Sequence, residues 1–154
     1  MAKAIGQDGT QRPETGWQNV KLPDQWDKRK FYYTGSTWYK IVWDYQCPTT
    51  TKTPITIVIS YINMTGQVFI NNDLLWQDQS LVEPLSRSWN MPRYWNLPVS
   101  SLKQGENILW VRVVGVKSQN SGLGQVLVGN ADQVRPKFQM LWNQQRVLMF
   151  LNLI

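Results

Sequence analysis

The chain has no histidine and one cysteine among its 154 residues. Without an imidazole there is no Ser-His-Asp or Cys-His nucleophile system, and most zinc and iron sites lose their usual ligand. Cys47 has no partner for an internal disulfide, so cysteine usage does not fix the compartment. No apolar run reaches the roughly 20 residues of a membrane helix, and residues 1–6 are too short and polar for a signal peptide. Charged residues make up only 17% of the chain, with an excess of +6 and a pI near 9.6. The lysines and arginines are scattered, and Lys28-Arg29-Lys30 is their only run. With no helix-turn-helix, zinc or RNA-binding motif, no nucleic-acid partner is expected. A mild basic excess also suits a domain that lies above anionic lipid head groups.

What the chain does have is tryptophan, nine residues of it. Indoles in this number suit a β-sandwich core or flat platforms for sugar rings, and the core is expected to take most of them. The order of segments agrees. Residues 1–14 are polar and read as a flexible arm. Trp17, Val20 and Leu22 lead in, with a turn at Pro23-Asp24. Residues 36–45 and 55–62 are aromatic or β-branched runs bounded by turn residues, and 107–116 alternates between two faces. A hairpin is expected from 67–70 through Asn71-Asn72-Asp73 into 74–76. Shorter strands are expected at 94–97 and 125–128. Short strands with turn signals between them predict an all-β sandwich or barrel. From 134 the pattern changes, with Pro136 placed to start a helix. Apolar residues then thicken toward Ile154. Two readings stand here: an amphipathic helix packed on the sandwich, or the first turns of a membrane helix with Trp142 and Arg146 as interfacial anchors, which the missing stop signal favours.

The most informative stretch is the polar loop after the hairpin. It gathers Glu83, Arg87, Trp89, Asn90, Arg93, Tyr94 and Trp95 within a dozen or so residues. Trp89 is suited to stack on a ring, Arg87 and Arg93 to hold a carboxylate, and Glu83 and Asn90 to exchange hydrogen bonds with hydroxyls. The same residues equally suit internal bracing, because a long loop without secondary structure needs it. Glu83 and Asp78 are the carboxylates available for acid–base chemistry, but nothing else of a catalytic constellation accompanies them. Asp24 and Asp27 are too few oxygens for calcium, and no metal or other cofactor is expected. Gly122 and Gly124 are expected at positive φ. Asn63 falls in an Asn-Met-Thr sequon and is expected to cap a turn with its side chain.

The hairpin at 68–72 and the Gly-Glu-Asn turn with its strand at 103–113 resemble the galactose-binding-like jelly rolls at the N-termini of β-galactosidases and β-glucuronidases. Here Asn72 is followed by Asp73, and the histidine and glycine pair of the glycosidase loop are missing. Residues 80–95, SLVEPLSRSWNMPRYW, more closely resemble the periplasmic sensor domains of bacterial seven-transmembrane receptors with diverse intracellular signalling modules, in particular those of sensory histidine kinases. The flanks at 62–64, 111–116 and 122–124 share that resemblance. It implies a jelly-roll β-sandwich over 15–133 and a helical stub at 134–154 that leads toward a transmembrane helix. It also implies a periplasmic domain of a bacterial inner-membrane protein. Such a domain is a non-catalytic ligand sensor, and the chemistry of the loop makes Glu83, Arg87, Trp89, Asn90 and Arg93 its candidate ligand-binding residues. Its partners are a small polar ligand such as a carbohydrate or carboxylate, the membrane, and a second copy if it dimerises. The alternative is a non-catalytic carbohydrate-binding domain of a glycoside hydrolase.

Overall fold

Eleven consecutive residues of one strand pair with eleven of another, and the rest of the sandwich is built outward from that ladder. In the computed structural model, which describes residues 2–6, 11–29, 31–46, 54–81, 91–117 and 119–151, these are β4 (Gly35–Tyr45) and β10 (Gly105–Gly115). On their far sides lie β1 (Ala2–Gly6) with β2 (Gln18–Val20), and β7 (Thr65–Ile70) with β8 (Asp73–Gln77). The six form one sheet in the order β2-β1-β4-β10-β7-β8. The opposing layer has two small sheets. One is β3 (Asp24–Gln25), β11 (Gly122–Leu123) and β6 (Ile62–Asn63), and the other is β12 (Val126–Asn130), β5 (Ile55–Ile59) and β9 (Arg93–Asn96). The architecture is the expected all-β sandwich, with one C-terminal helix, α1 (Ala131–Leu151).

The period-2 alternation of strands decides which residues fill the core. Along β10, Leu109, Val111 and Val113 point inward and are fully buried against Tyr39, Ile57 and Ile59. The outward residues of the same strand are nearly as buried, which alternation alone does not foretell. Trp110 is 8% exposed and Arg112 7%. Part of the cover over Trp110 is the segment after β1, where the Arg12 guanidinium lies 4.1 Å from the Trp110 ring centre and Trp17 packs at 5.6 Å.

Three expectations need correction. Residues 2–6 form an internal strand, because their backbone fills the slot between β2 and β4; the loose arm predicted from their polarity is not seen. The apolar run at 55–62 breaks at Ser60-Tyr61, since Ser60 there binds across to Gln125 through both its amide and its hydroxyl. The helix begins at Ala131, whose amide donates to the Pro54 carbonyl, so Pro136 lies inside the helix and not at its start. Residues 131, 134, 138, 141, 142 and 145 are its buried or half-buried positions. That is one helical stripe, and it covers the outer face of the β12-β5-β9 sheet. Gly129 permits the close approach, since a side chain there would press on Val134. The packed amphipathic helix is therefore what the structure shows up to Gln145, and no helix among the described residues is long and apolar enough to cross a membrane.

Buried polar groups tie the ends of the sandwich. Asn107, fully buried, accepts from the Lys103 amide and the Asn71 side chain and donates to the Lys103 and Gly105 carbonyls. Asn71 returns a bond to the Ile108 amide from the tip of the β7–β8 hairpin, where it sits at φ +53°. The hairpin and the Gly-Glu-Asn turn are thus one hydrogen-bonded unit. At the other end Trp26 donates to the Tyr39 hydroxyl, which donates to Asp24, and Arg29 grips both oxygens of Asp24 at 2.8 and 3.0 Å. Asp27 accepts from the Asn120 amide. These carboxylates are occupied by the fold. Asn63 lies in β6, buried, and its side chain reaches the Asn120 carbonyl instead of capping a turn. Gly122 has positive φ, as expected, while Gly124 serves to make room for Ser60 and Tyr61.

Burial, followed by the neighbouring Asp24 carboxylate, raises the Tyr39 phenol well above its ordinary range. A raised folded value means the contribution is fully present below the unfolded tyrosine value of about 10 and is lost as pH climbs beyond it. The melting temperature is expected to fall above about pH 10. Tyr39→Phe is expected to flatten that fall while lowering stability at neutral pH by about 1–3 kcal/mol, since Asp24 and Trp26 lose their partner. Thermal melts across pH for both proteins check this.

Candidate ligand site at the base of the long loop

The loop that carries the candidate residues leaves the sandwich after β8 and returns at β9. Glu83, Arg87, Trp89 and Asn90 lie outside the described residues, and Arg93 lies within them. Asp78 marks the departure. Its amide donates to the Gly66 carbonyl and one of its oxygens accepts from the Gly66 amide at 2.8 Å. The Thr65 hydroxyl then donates to the Ser80 carbonyl, which draws the first loop residues across β7. Arg93 marks the return. It opens β9 opposite Ile59, on the face of that strand turned toward the core.

Arg93 is 7% exposed, and its guanidinium lies 4.6 Å from the Trp76 ring centre. Its Nη2 is 3.9 Å from Asp78, itself 6% exposed, and has no hydrogen-bond partner among the described residues. Its Nη1 donates to the Met91 carbonyl at 3.5 Å, the edge of useful geometry. Trp76 and Trp95 meet beside it at 5.6 Å between ring centres. Burial lowers the Arg93 pKa and the Asp78 carboxylate opposes that shift. A guanidinium starts so high that it stays charged at neutral pH.

The two ends of the loop are therefore held by a buried ion pair between the two layers, with a pair of indoles packed against it. The contacts that Arg93 makes among the described residues fit the bracing role. Asp78 is engaged by the Gly66 amide and by Arg93. Among the described residues no group of three or more Cys, Asp or Glu is placed to hold a metal ion. Sequence reasoning noticed Asp78 without assigning it to the ligand site and did not single out Trp76. The signal was their position, since both flank a long loop at the point where its strand ends.

Arg93 and Tyr94 are consecutive and point to opposite faces of β9. Tyr94 packs on Phe138 of α1 at 5.4 Å, and its hydroxyl accepts from Arg135 at 3.1 Å. One residue of the strand thus faces the base of the loop, and the next faces the helix.

No family model matches this chain and no curated protein matches it. Solved structures do. A β-glucuronidase of Bacteroides uniformis superposes with a TM-score of 0.64 at 16% identity, over 84% of this chain and 17% of its own. A glycosyl hydrolase family 2 member of Bacteroides cellulosilyticus gives 0.61 at 14% identity, over 84% and 20%. A β-glucuronidase of Bifidobacterium dentium gives 0.57 at 15%, over 73% and 19%. The fold is that of a β-sandwich found within family 2 glycoside hydrolases, and this chain spans at most about a fifth of the length of those proteins.

If the ion pair clamps the loop, removing its negative member while keeping an acceptor for Gly66 strands a buried cation. Asp78→Asn is expected to lose about 3 kcal/mol in urea denaturation. The further change Arg93→Met in that background is expected to restore part of the loss, because two charges are then absent instead of one. A single-variant loss below about 1 kcal/mol would place the pair among weak surface-like contacts.

Proposed function

We propose that this chain is a non-catalytic, ligand-binding β-sandwich within a longer protein that works outside the cytoplasm, its ligand a small polar molecule such as a carbohydrate or carboxylate. The observation that carries the reading is the disparity of coverage: most of this chain superposes on a small part of each glycoside hydrolase. The chain's chemistry supports it. There is no histidine, and Asp78 is spent on the fold. The loop of Glu83, Arg87, Trp89 and Asn90 is the binding element in this reading, and Arg93 sets its base without touching the ligand.

A second reading, the sensor domain of a membrane histidine kinase, is favoured by β9. A change at the base of the loop bears on Arg93, and its neighbour Tyr94 bears on α1 through Phe138 and Arg135. Signal in this reading is a bias between two arrangements of the loop, as large as the ligand's difference in affinity for them, and α1 carries it toward the membrane-bound module.

Two measurements decide the matter. Incubation with nitrophenyl β-glucuronide and β-galactoside is expected to release no nitrophenol above background; turnover would make the domain an enzyme. Titration with a panel of neutral sugars, sugar acids and amino acids is expected to shift the melting temperature and quench tryptophan emission for at least one class. Arg87→Ala or Trp89→Ala is expected to weaken that binding at least tenfold without lowering the unliganded melting temperature. A silent panel defeats the ligand reading.

A further inference from the structure

Trp110 stands on the outward face of β10 and yet is only 8% exposed. A side chain on that face is covered only if another part of the chain comes over the sheet. The cover comes from the connection between β1 and β2. These strands are antiparallel neighbours, and such a pair is ordinarily joined by roughly two to five residues. Here the connection runs from residue 7 to residue 17, and its described part, 11–17, does not stay at the β1–β2 edge. Gly6 stands in the row of Thr37 and Val113, toward the Gly115 end of β10. Arg12 lies across the sheet from it, over Trp110, and reaches the tip of the β7–β8 hairpin. There its guanidinium donates to the Asn71 carbonyl at 3.4 Å and to the Asn72 side-chain oxygen at 3.2 Å. The chain then returns to β2, with Trp17 packed on Trp110 at 5.6 Å. A long connection whose ends are neighbours and whose body crosses a face of the fold has the form of an Ω-loop or lid.

The contacts that hold this crossing are weak. Among the described residues, 11–16 make no backbone hydrogen bond to the sheet. The two bonds from Arg12 are at or beyond the long end of the useful range, and one of them is exposed. Its guanidinium lies 4.1 Å from the Trp110 ring centre, a contact of small worth where water reaches it. Gln11, Glu14, Thr15 and Gly16 are exposed. Gly16 sits at φ +87°, a conformation open to glycine without strain, immediately before Trp17 and β2. The floor beneath is different, since β10 is paired on both sides. Segments with few buried contacts and solvent-exposed hydrogen bonds open before the core does.

We propose that residues 11–17 are a flap latched by Arg12, which swings away from Trp110 while the sandwich stays folded. Gly16 is its hinge. Opening uncovers the Trp110 indole, with Phe69 opposite it on β7 and the Lys40 ammonium 5.5 Å from its ring centre. A closed sheet face thereby becomes an aromatic one. The flap opens whether or not the long loop binds a ligand.

Digestion with glutamyl endopeptidase in native buffer tests this, because the bond after Glu14 enters a protease cleft only when the flap is lifted. Cleavage there is expected without urea, at a rate that low urea leaves unchanged. Arg12→Ala is expected to speed it by about tenfold or more while moving the melting temperature by less than about 2 °C. In protein labelled with 5-fluorotryptophan, the Trp110 resonance, assigned by its loss in Trp110→Phe, is expected to move toward its unfolded position in Arg12→Ala. Should Trp110→Phe fail to fold, the cleavage rates still decide. Cleavage after Glu14 that appears only in step with global unfolding in urea overturns the flap. An Arg12→Ala rate equal to that of the unaltered protein overturns the latch. A fall in melting temperature large enough to account for the faster cleavage makes Arg12 a brace of the whole sandwich and overturns both.

Discussion

The register of β10 against β4 is the constraint on which the sandwich depends. Gly105 meets Tyr45 at one end of the ladder and Gly115 meets Gly35 at the other, without interruption. A slip of one residue would turn Leu109, Val111 and Val113 outward and drive Trp110 and Arg112 into the core. Both faces fix the pairing: the inner one through apolar burial, the outer one through the bond from Arg112 to Ser36 and the proximity of Lys40 to Trp110. A strand with one solvated face lacks that second check. The turn before β10 sets the ladder's start, because Asn107 is satisfied by Lys103, Gly105 and Asn71 together and by no other register.

The end of the sandwich where β10 finishes is closed by charge as well as by aromatic packing. There Asp24 collects Tyr39 and Arg29, and the Trp26 ring packs on Phe31 at 5.5 Å and on Tyr33 at 5.9 Å. At the same end, beside Gly66, Asp78 faces Arg93 next to two indoles. In both places the carboxylate also holds or neighbours a strand terminus, so the ionic contact fixes a chain crossing that apolar burial, being non-directional, leaves free.

Much of the fold was legible in the sequence, and the reasons differ by element. β4, β5 and β10 announce themselves through apolar or alternating runs, and the hairpin through Asn71-Asn72, whose first residue adopts the positive φ that asparagine tolerates. β1 was not legible: Ala-Lys-Ala-Ile-Gly has little strand propensity, and its pairing partners are supplied from elsewhere in the chain. The helix was legible as a helix but not in its placement, since the apolar stripe that packs on β12, β5 and β9 reads the same as one bound for lipid. Of the candidate site, Arg93 was legible as important and not in its role. Its partner Asp78 lies fifteen positions away across a loop, and no local pattern links them.

The two buried arginines serve the fold in different ways. Both are 7% exposed, and Arg93 rests beside the Trp76 ring. Arg93 faces a carboxylate that the backbone itself orients through Gly66, and it joins the two layers at a point where the chain must turn back. A charge placed so is accounted for by the architecture. Arg112 joins neighbouring strands of one sheet, where the ladder already supplies cohesion, and it receives only a hydroxyl and an amide oxygen. Its bond to Ser36 is directional where apolar burial is not, and it holds the register of β10 against β4 from the outer face.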